Sequence, residues 1–219
     1  MSLLTHCGER SGPAPTPTIK RLPGENLTTK LPRALDLRRT ARALKEEVLP
    51  PTVEEALTSC LPADYGGVRI VLSTRHRFGP LEPGTYAWRN KAFELIAHEL
   101  PPEKDITTAA IGQPWAQHFS CVFWIIPDPT PEPGAWVGAF IECGRIAQNL
   151  SLATCANPCI GVFQSPALID EKLSELLGAE ASVDGAYLVG IGMVNPATSE
   201  RENQAQSIFK PSKIFEEVG

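Results

Sequence analysis

The residues best suited to chemistry are basic and hydroxyl groups near the start of the expected folded region. Arg38, Thr40 and Arg42 occupy alternate positions, and alternate side chains of an extended segment point the same way. Such donors suit an anion such as a phosphate, where each charge-assisted hydrogen bond contributes about 1.5–3 kcal/mol. The alternative is that the arginines are solvated on the surface and that Thr40 caps a helix.

The cysteines and histidines do not form a metal-binding pattern. Cys155 and Cys159 are the only close cysteine pair; their gap exceeds that of a zinc knuckle, and no second pair completes four ligands. We expect no metal there, but small buried residues in a turn, and reduced thiols throughout. The histidines at 76, 98 and 118 have no evident partner and are expected at the surface.

The composition is that of an ordinary globular protein. The chain has 219 residues, of which 42% are hydrophobic and 21% are charged, which suits a single domain with a core. The formal net charge of -5 provides no basic field for nucleic acid. The longest apolar run, residues 122–126, is far shorter than the roughly 20 residues of a membrane span, and the first residues lack an apolar signal region. We therefore expect a cytoplasmic protein that binds neither nucleic acid nor membrane.

The chain divides into two regions. Residues 1–33 contain five prolines among Ser, Thr and Gly, which predicts a disordered leader or an arm that wraps a partner. Residues 34–219 are expected to form one domain. Its first helical pattern covers 35–44. A second helix is predicted over 52–61, where Thr52 and Glu55 have the spacing of a capping box and Pro62 ends the helix.

Strands and helices are mixed along the rest of the chain. Strands are predicted over 68–73, 85–88, 92–96, 120–126 and 186–191. The second and third form a hairpin, and the fourth is apolar on both faces, which indicates a central position in a sheet. Helices are predicted over 106–117, 138–154 and 166–177, the last followed by Gly178.

The helix over 138–154 has the clearest periodicity, with one face of mainly small or apolar residues. That face comprises Phe140, Cys143, Gly144, Ala147, Leu150 and Thr154. Small residues let a second helix approach closely. The face could therefore pair with its copy across a two-fold axis, or it could be buried in the core of a monomer.

Five segments in a fixed order carry a family resemblance. They are Arg-Arg-Thr-Ala-Arg at 38–42, Leu-Glu-Pro-Gly-Thr-Tyr at 81–86, Ile-Gly-Gln-Pro-Trp at 111–115, Glu-Cys-Gly-Arg-Ile-Ala-Gln-Asn-Leu-Ser-Leu-Ala at 142–153, and Cys-Ile-Gly-Val-Phe at 159–163. Together they resemble the nitroreductase superfamily over about residues 35–195. The second segment is similar to the Pro-Gly-Leu-Tyr hairpin of its SagB-type branch, whose known members oxidise azoline rings in peptides.

The resemblance implies an α+β, nitroreductase-like fold, in which helices flank a central, mostly antiparallel sheet. It also implies a homodimer with flavin mononucleotide (FMN) at the interface. In that arrangement Arg38, Thr40 and Arg42 would bind the FMN phosphate, and Arg201 could reach it from the far side. Each arginine has the alternative role of a solvated surface residue.

The flavin ring needs a different partner. Its N5 atom changes charge during hydride transfer and requires a backbone donor. The resemblance assigns that role to the amides of Gly161 and Val162, although a glycine there could simply allow a tight turn. Gln113 and Trp115 could line the mouth above the ring and are candidate catalytic residues. Tyr86 and Trp88 could do so as well, but aromatic residues in a hairpin usually pack.

Two departures from the family pattern bear on catalysis. The loop at 62–67 lacks the Pro-Ser that helps hold the pyrimidine edge of the flavin, and Asp64 is the one candidate to replace it. The stretch 131–137 lacks the Lys-Tyr pair that supplies a base in azoline-oxidising members. Glu132 is the only titratable group there.

Three functions remain open from the sequence. The first is an FMN-dependent dehydrogenase or oxidase that converts azoline to azole, or oxidises a related bond, in a peptide or carrier-bound natural-product precursor. The second is a non-catalytic partner subunit in a biosynthetic complex, where a second biosynthetic protein would be its partner. The third is an NAD(P)H-dependent nitro or quinone reductase, against which the hairpin argues.

Overall fold

A computed structural model describes residues 44–61, 67–113, 118–128, 134–155, 157, 159–179 and 183–194. The described helices are α1 (Pro51–Ser59), α2 (Glu103–Ala109), α3 (Ala135–Thr154) and α4 (Glu171–Leu176). The described strands are β1 (Leu44–Lys45), β2 (Val68–Thr74), β3 (Gly84–Arg89), β4 (Ala92–Ala97), β5 (Cys121–Pro127), β6 (Ile160–Ile169) and β7 (Val183–Val194). The predicted leader at 1–33 and most of the predicted helix at 35–44 lie outside the described residues, and Leu44 belongs to β1.

The described strands form one seven-stranded sheet in which every pair is antiparallel. Ile191 of β7 pairs with Cys121 of β5 and with Val162 of β6, so β5 and β6 lie on opposite sides of β7. Met193 pairs with β1 and β6, which places β1 on the same side as β5. The strand order is therefore β6, β7, β5, β2, β3, β4, and the short strand β1 pairs with β7 on the same side as β5. The two outer edges of the sheet are β6 and β4.

Helices cover both faces of the sheet. As a result, every residue of the central strand β5 is buried. Phe123 and Ile125 point into the core beneath α1 and α3, whereas Val122 and Trp124 point into the core beneath α2 and α4. The prediction of a central strand at 120–126 is confirmed. A large side chain buried in this way contributes about 1.5–3 kcal/mol to folding. The expected α+β arrangement of an antiparallel sheet between helices is also confirmed.

The start of α1 differs from the prediction. Pro50 is the N-cap residue, Pro51 is the first helical residue, and no side chain caps the helix, so the predicted capping box of Thr52 and Glu55 is wrong. The fixed backbone of proline suits the first turn, where its missing N–H has no partner to lose. Val53 and Leu57 face inward and are buried in the core that α1 shares with α3.

The helix predicted over 166–177 begins too early. Residues up to Ile169 continue β6, and α4 covers only Glu171–Leu176, where the Asp170 side chain caps it by accepting from Leu173 N–H. Proline at 166 resembles a helix start in sequence, but an edge strand tolerates it when its nitrogen faces away from the ladder.

The helix predicted over 106–117 is displaced. The observed α2 covers Glu103–Ala109, and the chain turns at Ile111 and Gly112, which both have positive φ angles. The helix predicted over 138–154 is confirmed and starts three residues earlier.

Candidate functional site

The candidate site lies along β6, the edge strand that carries two of the proposed cofactor-binding residues. Gly161 pairs with Gly192 and Val162 pairs with Ile191, both on β7. Within the part of the chain that the structure describes, no strand pairs with β6 on its other side. Gly161 and Val162 are buried, and among the described strands the outward backbone groups of β6 have no ladder partner.

The pairing register gives the two amides different directions. Val194 N–H donates to the Cys159 carbonyl at 2.8 Å, which marks a hydrogen-bonded pair of the ladder. Such pairs alternate along antiparallel strands. Gly161 therefore belongs to the next hydrogen-bonded pair, and its N–H faces β7. Val162 belongs to the intervening kind of pair, so its N–H points away from β7, toward the outer side of β6.

A second segment of the family resemblance meets the same strand. Gln113 Nε2 contacts Ser165 Oγ at 3.3 Å, and Ser165 lies on β6. Ser165 is almost completely buried, and its hydroxyl also donates to the Pro166 carbonyl at 2.8 Å. The structure thus brings Gln113 to the strand that carries Gly161 and Val162, although these residues are far apart in sequence.

The other predicted site residues lie outside the described residues. These are Arg38, Thr40, Arg42, Trp115, Glu132 and Arg201, together with Asp64. Their proposed contacts with a phosphate, a flavin ring or a substrate stay predictions.

The long helix α3 has two different apolar faces. Cys143, Ala147, Leu150 and Thr154 are buried in the protein's own core, as the monomer alternative for that face expects. The outward side carries Val137 and Ile141, which are 50% and 66% exposed. Gly144, which the sequence predicted on the buried face, instead follows them on this stripe, and a Cβ added there would meet no atom within 4 Å. The apolar surface available to a second copy is therefore the outward stripe.

Strand β6 and helix α3 are joined by a polar contact that the sequence did not indicate. Gln164 Nε2 donates to the Ala147 carbonyl in the middle of α3. That carbonyl lies four residues before Ser151, where a buried serine hydroxyl usually finds its acceptor. Ser151 is fully buried, and its Oγ has no hydrogen-bond partner among the described residues.

Hairpin aromatics serve packing. Tyr86 is buried and donates to the Glu82 carbonyl at 2.7 Å. Its pKa is raised by burial, then by the nearby Glu82 carboxylate. The Trp88 ring packs edge-on against Phe93 with centroids 4.8 Å apart. The alternative that these residues pack within the hairpin therefore accounts for both.

Two buried cysteines are not set up for nucleophilic chemistry. Burial raises the pKa of Cys143 to about 12, with smaller contributions from Glu142 and Asp128. Burial also raises the pKa of Cys121, so both thiols stay protonated and unreactive. No group of three His, Cys, Asp or Glu residues in the described ranges could hold a metal ion.

Two cavities in the described structure are unsuited to FMN. One measures about 10 Å³, room for a single water molecule, and lies beside Ser73 and Arg75. The other is an open depression of about 420 Å³ lined by Asp170, Glu171, Lys172 and Glu175. Its three carboxylates would repel a phosphate. Neither cavity includes a predicted cofactor-binding residue.

Comparison with solved structures decides the fold. A candidate nitroreductase from Anabaena variabilis aligns with 74% of this chain at a TM-score of 0.57 and 17% identity. A candidate nitroreductase from Ralstonia eutropha aligns with 80% of this chain at a TM-score of 0.55 and 16% identity. The chain has a nitroreductase-like fold.

The extent of the match differs between these two proteins. The nitroreductase-like fold of this chain spans 37% of the Anabaena protein and 88% of the Ralstonia protein. No protein-family profile and no curated protein sequence matches the chain. Among the helices in the described ranges, none has the length and apolar character to cross a bilayer.

Proposed function

We propose that the protein is an FMN-dependent oxidoreductase that dehydrogenates a heterocycle, azoline to azole, or a related bond in a peptide or carrier-bound precursor. The observation that carries the proposal is the edge of β6, where the Val162 amide faces outward and Gln113 is anchored through Ser165. Two separate segments of the family resemblance converge on one strand of a nitroreductase-like fold. The SagB-type assignment rests on the sequence resemblance of the 81–86 hairpin.

The described residues fit one part of FMN. An outward amide on a strand edge is the donor that N5 of the ring requires, and the neighbouring glycine lets the ring approach the backbone closely. Arg38, Thr40, Arg42 and Arg201 would hold the phosphate. When bound, FMN supplies the acceptor for a hydride equivalent, and oxygen or another acceptor restores it.

The homodimer we propose uses the outward stripe of α3. Val137 and Ile141 are half or more exposed, which costs free energy in a monomer. Gly144 and Gln148 continue the stripe at helical spacing, and the glycine allows a second backbone to come close. Gln164 ties this helix to β6, so a copy docked on α3 would lie beside the edge where the flavin is proposed.

The proton released by dehydrogenation needs an acceptor. Azoline oxidation removes two hydrogens from the ring, one as a hydride equivalent and one as a proton. Glu132 is the only titratable group in 131–137, and it is the candidate base. A substrate carbon that is already acidic would release its proton without a base on the chain.

A turnover assay tests this function. The full chain, incubated with FMN and freed of excess, would be mixed with a short synthetic peptide that contains one thiazoline ring. We expect thiazole formation in air with loss of two mass units per ring. Omission of FMN and replacement of Glu132 by Gln are the controls. NADPH is added separately, and rapid bleaching of the flavin without peptide oxidation would favour a nitro or quinone reductase.

The missing Lys-Tyr pair favours a second function, a non-catalytic subunit that supports another biosynthetic protein. This role predicts weak FMN binding and no turnover by the chain alone. Oxidation of the thiazoline peptide by the purified chain with FMN would refute it.

A further inference from the structure

Ile111 has a backbone conformation that its side chain disfavours. Its φ angle is +58°, in the left-handed region that β-branched residues rarely adopt. Two other non-glycine residues with positive φ, Asn90 and Lys91, form the two-residue turn between β3 and β4, where such angles are required. Ile111 has no such requirement of a hairpin.

Two hydrogen bonds fix Ile111 in this conformation. Ile111 N–H donates to the Thr108 carbonyl at 3.1 Å, and Gly112 N–H donates to the Thr107 carbonyl at 2.9 Å. This is the Schellman pattern that ends a helix, and Ile111 stands at the position where glycine is usual. Folding alone would therefore favour glycine at 111.

Burial of the Ile111 side chain does not compensate for the strain in its backbone. It is 57% exposed, so most of its apolar surface stays in water. Ala110, the preceding residue, is completely buried, and it anchors the end of α2 in the core. A residue that is unfavourable both in its backbone and in its exposure is typical of a functional contact.

Ile111 lies close to the strand that carries the candidate site. Two residues later, Gln113 reaches Ser165 on β6, so the turn lies against β6 three residues along the strand from Val162. The α2 helix packs on the opposite face of the sheet from α3. A second copy docked on the outward stripe of α3 would therefore leave Ile111 uncovered.

We infer that Ile111 is a specificity-determining residue that contacts an apolar side chain next to the heterocycle of the peptide substrate. This inference rests on the proposed function. The strained turn holds the side chain outward in the free protein, so the contact forms without reorganisation. The protein is less stable than it would be with glycine at 111, but it gains selectivity for substrates with an apolar residue beside the heterocycle.

The test compares two thiazoline peptides that differ in the residue beside the ring, Leu or Ser. The wild-type chain with FMN is expected to have the lower KM for the Leu peptide. Ile111→Gly should reduce that preference about three- to tenfold through KM, with kcat for the Ser peptide unchanged. The same variant should unfold at a temperature roughly 2–4 °C higher, because the strain is relieved. Val48→Ser, which alters another exposed apolar residue, 61% exposed, should leave both quantities unchanged.

The outcomes separate this inference from the function beneath it. Turnover with an unchanged preference in Ile111→Gly would overturn the inference and leave the proposed function standing. A lower unfolding temperature would also overturn it, because Ile111 would then be a packing residue. A change in the molecular mass of the assembly in solution, from wild type to Ile111→Gly, would also overturn it, because Ile111 would then contact a second copy of the chain. If the wild-type chain with FMN oxidises neither peptide, the proposed function fails and the inference fails with it.

Discussion

The two edges of the sheet are built in different ways. Strand β4 is paired to β3 by a turn of two residues, Asn90 and Lys91, and this edge is local in sequence. Strand β6 pairs only with β7 among the described strands and receives Gln113 from a turn 52 residues away. The β6 edge, which is assembled from distant segments, contains the groups proposed for chemistry. The β4 edge, which is formed by a local hairpin, contains packed aromatic residues.

The β6 edge also differs from the β4 edge in carrying a proline. Pro166 occupies an outward-facing position of β6, so it offers no N–H at that point and discourages the addition of a strand. Val162 and Gln164 precede it, and the ladder alternation turns their N–H groups outward as well. On β4 the same alternation from the two-residue turn makes Leu95 outward-facing. A proline placed at either edge therefore removes an amide donor without breaking the ladder.

The largest expected effect concerns the phosphate. Arg38→Ala combined with Arg42→Ala should weaken FMN binding by roughly 3–6 kcal/mol, from the loss of two charge-assisted hydrogen bonds. Equilibrium binding of FMN monitored by quenching of flavin fluorescence measures the loss. Arg89→Ala, at the exposed end of β3 near β4, is the matched control and should bind FMN as the wild type does. Equal retention by the double variant would show that the phosphate lies elsewhere.

A smaller effect is expected at the outward stripe of α3, the helix that Gln164 links to β6. Ile141→Asp should weaken self-association by about 2–4 kcal/mol, since an interface residue that becomes charged loses its contacts and is desolvated. Sedimentation equilibrium measures the change. Leu95→Asp, on the β4 edge and 48% exposed, should leave association unchanged. A wild-type chain that stays monomeric at high concentration would contradict the proposed dimer.

Proline substitution compares the two edges directly. Val162→Pro should weaken FMN binding by about 0.5–1.5 kcal/mol, the net contribution of one hydrogen bond. Val162→Ala keeps the amide and controls for packing, and Leu95→Pro deletes the equivalent donor on β4. If Val162→Pro and Leu95→Pro affect FMN binding equally, the β6 edge has no special role.

The smallest effect should appear in the local turn. Lys91 has a φ angle of +65°, and Lys91→Gly creates the Asn-Gly sequence that such a turn favours. The free energy of unfolding should rise by about 0.5–1 kcal/mol, with FMN binding unchanged. Urea denaturation followed by circular dichroism is the measurement. A change in flavin affinity here would mean that the two edges are coupled.

The sequence predicted the local features of the fold. The hairpin of β3 and β4, the central strand β5 and the long helix α3 follow from alternation, apolar runs and helical spacing that need no distant partner. The predicted helix at 166–177 failed because the pairing of β6 with β7 decides the structure there, and Pro166 is compatible with both a helix start and an edge strand. The capping box failed because Pro51 starts α1 first.

The candidate site divides in the same way. The importance of Gln113 could be proposed from the family resemblance of the segment at 111–115, but its contact with Ser165 depends on how the chain folds over the sheet. Likewise, the sequence could not separate the amide of Gly161 from that of Val162, because their directions follow from the ladder alternation. The strained φ angle of Ile111 has no sequence signal, since isoleucine is the residue least expected there.

The most direct test of the central claim is the visible absorption spectrum of the purified full chain after incubation with FMN and removal of unbound cofactor. A nitroreductase-like fold with an FMN site at the β6 edge predicts a yellow protein whose flavin absorbance travels with the chain and is released by heat. A colourless protein that does not retain FMN would contradict the claim.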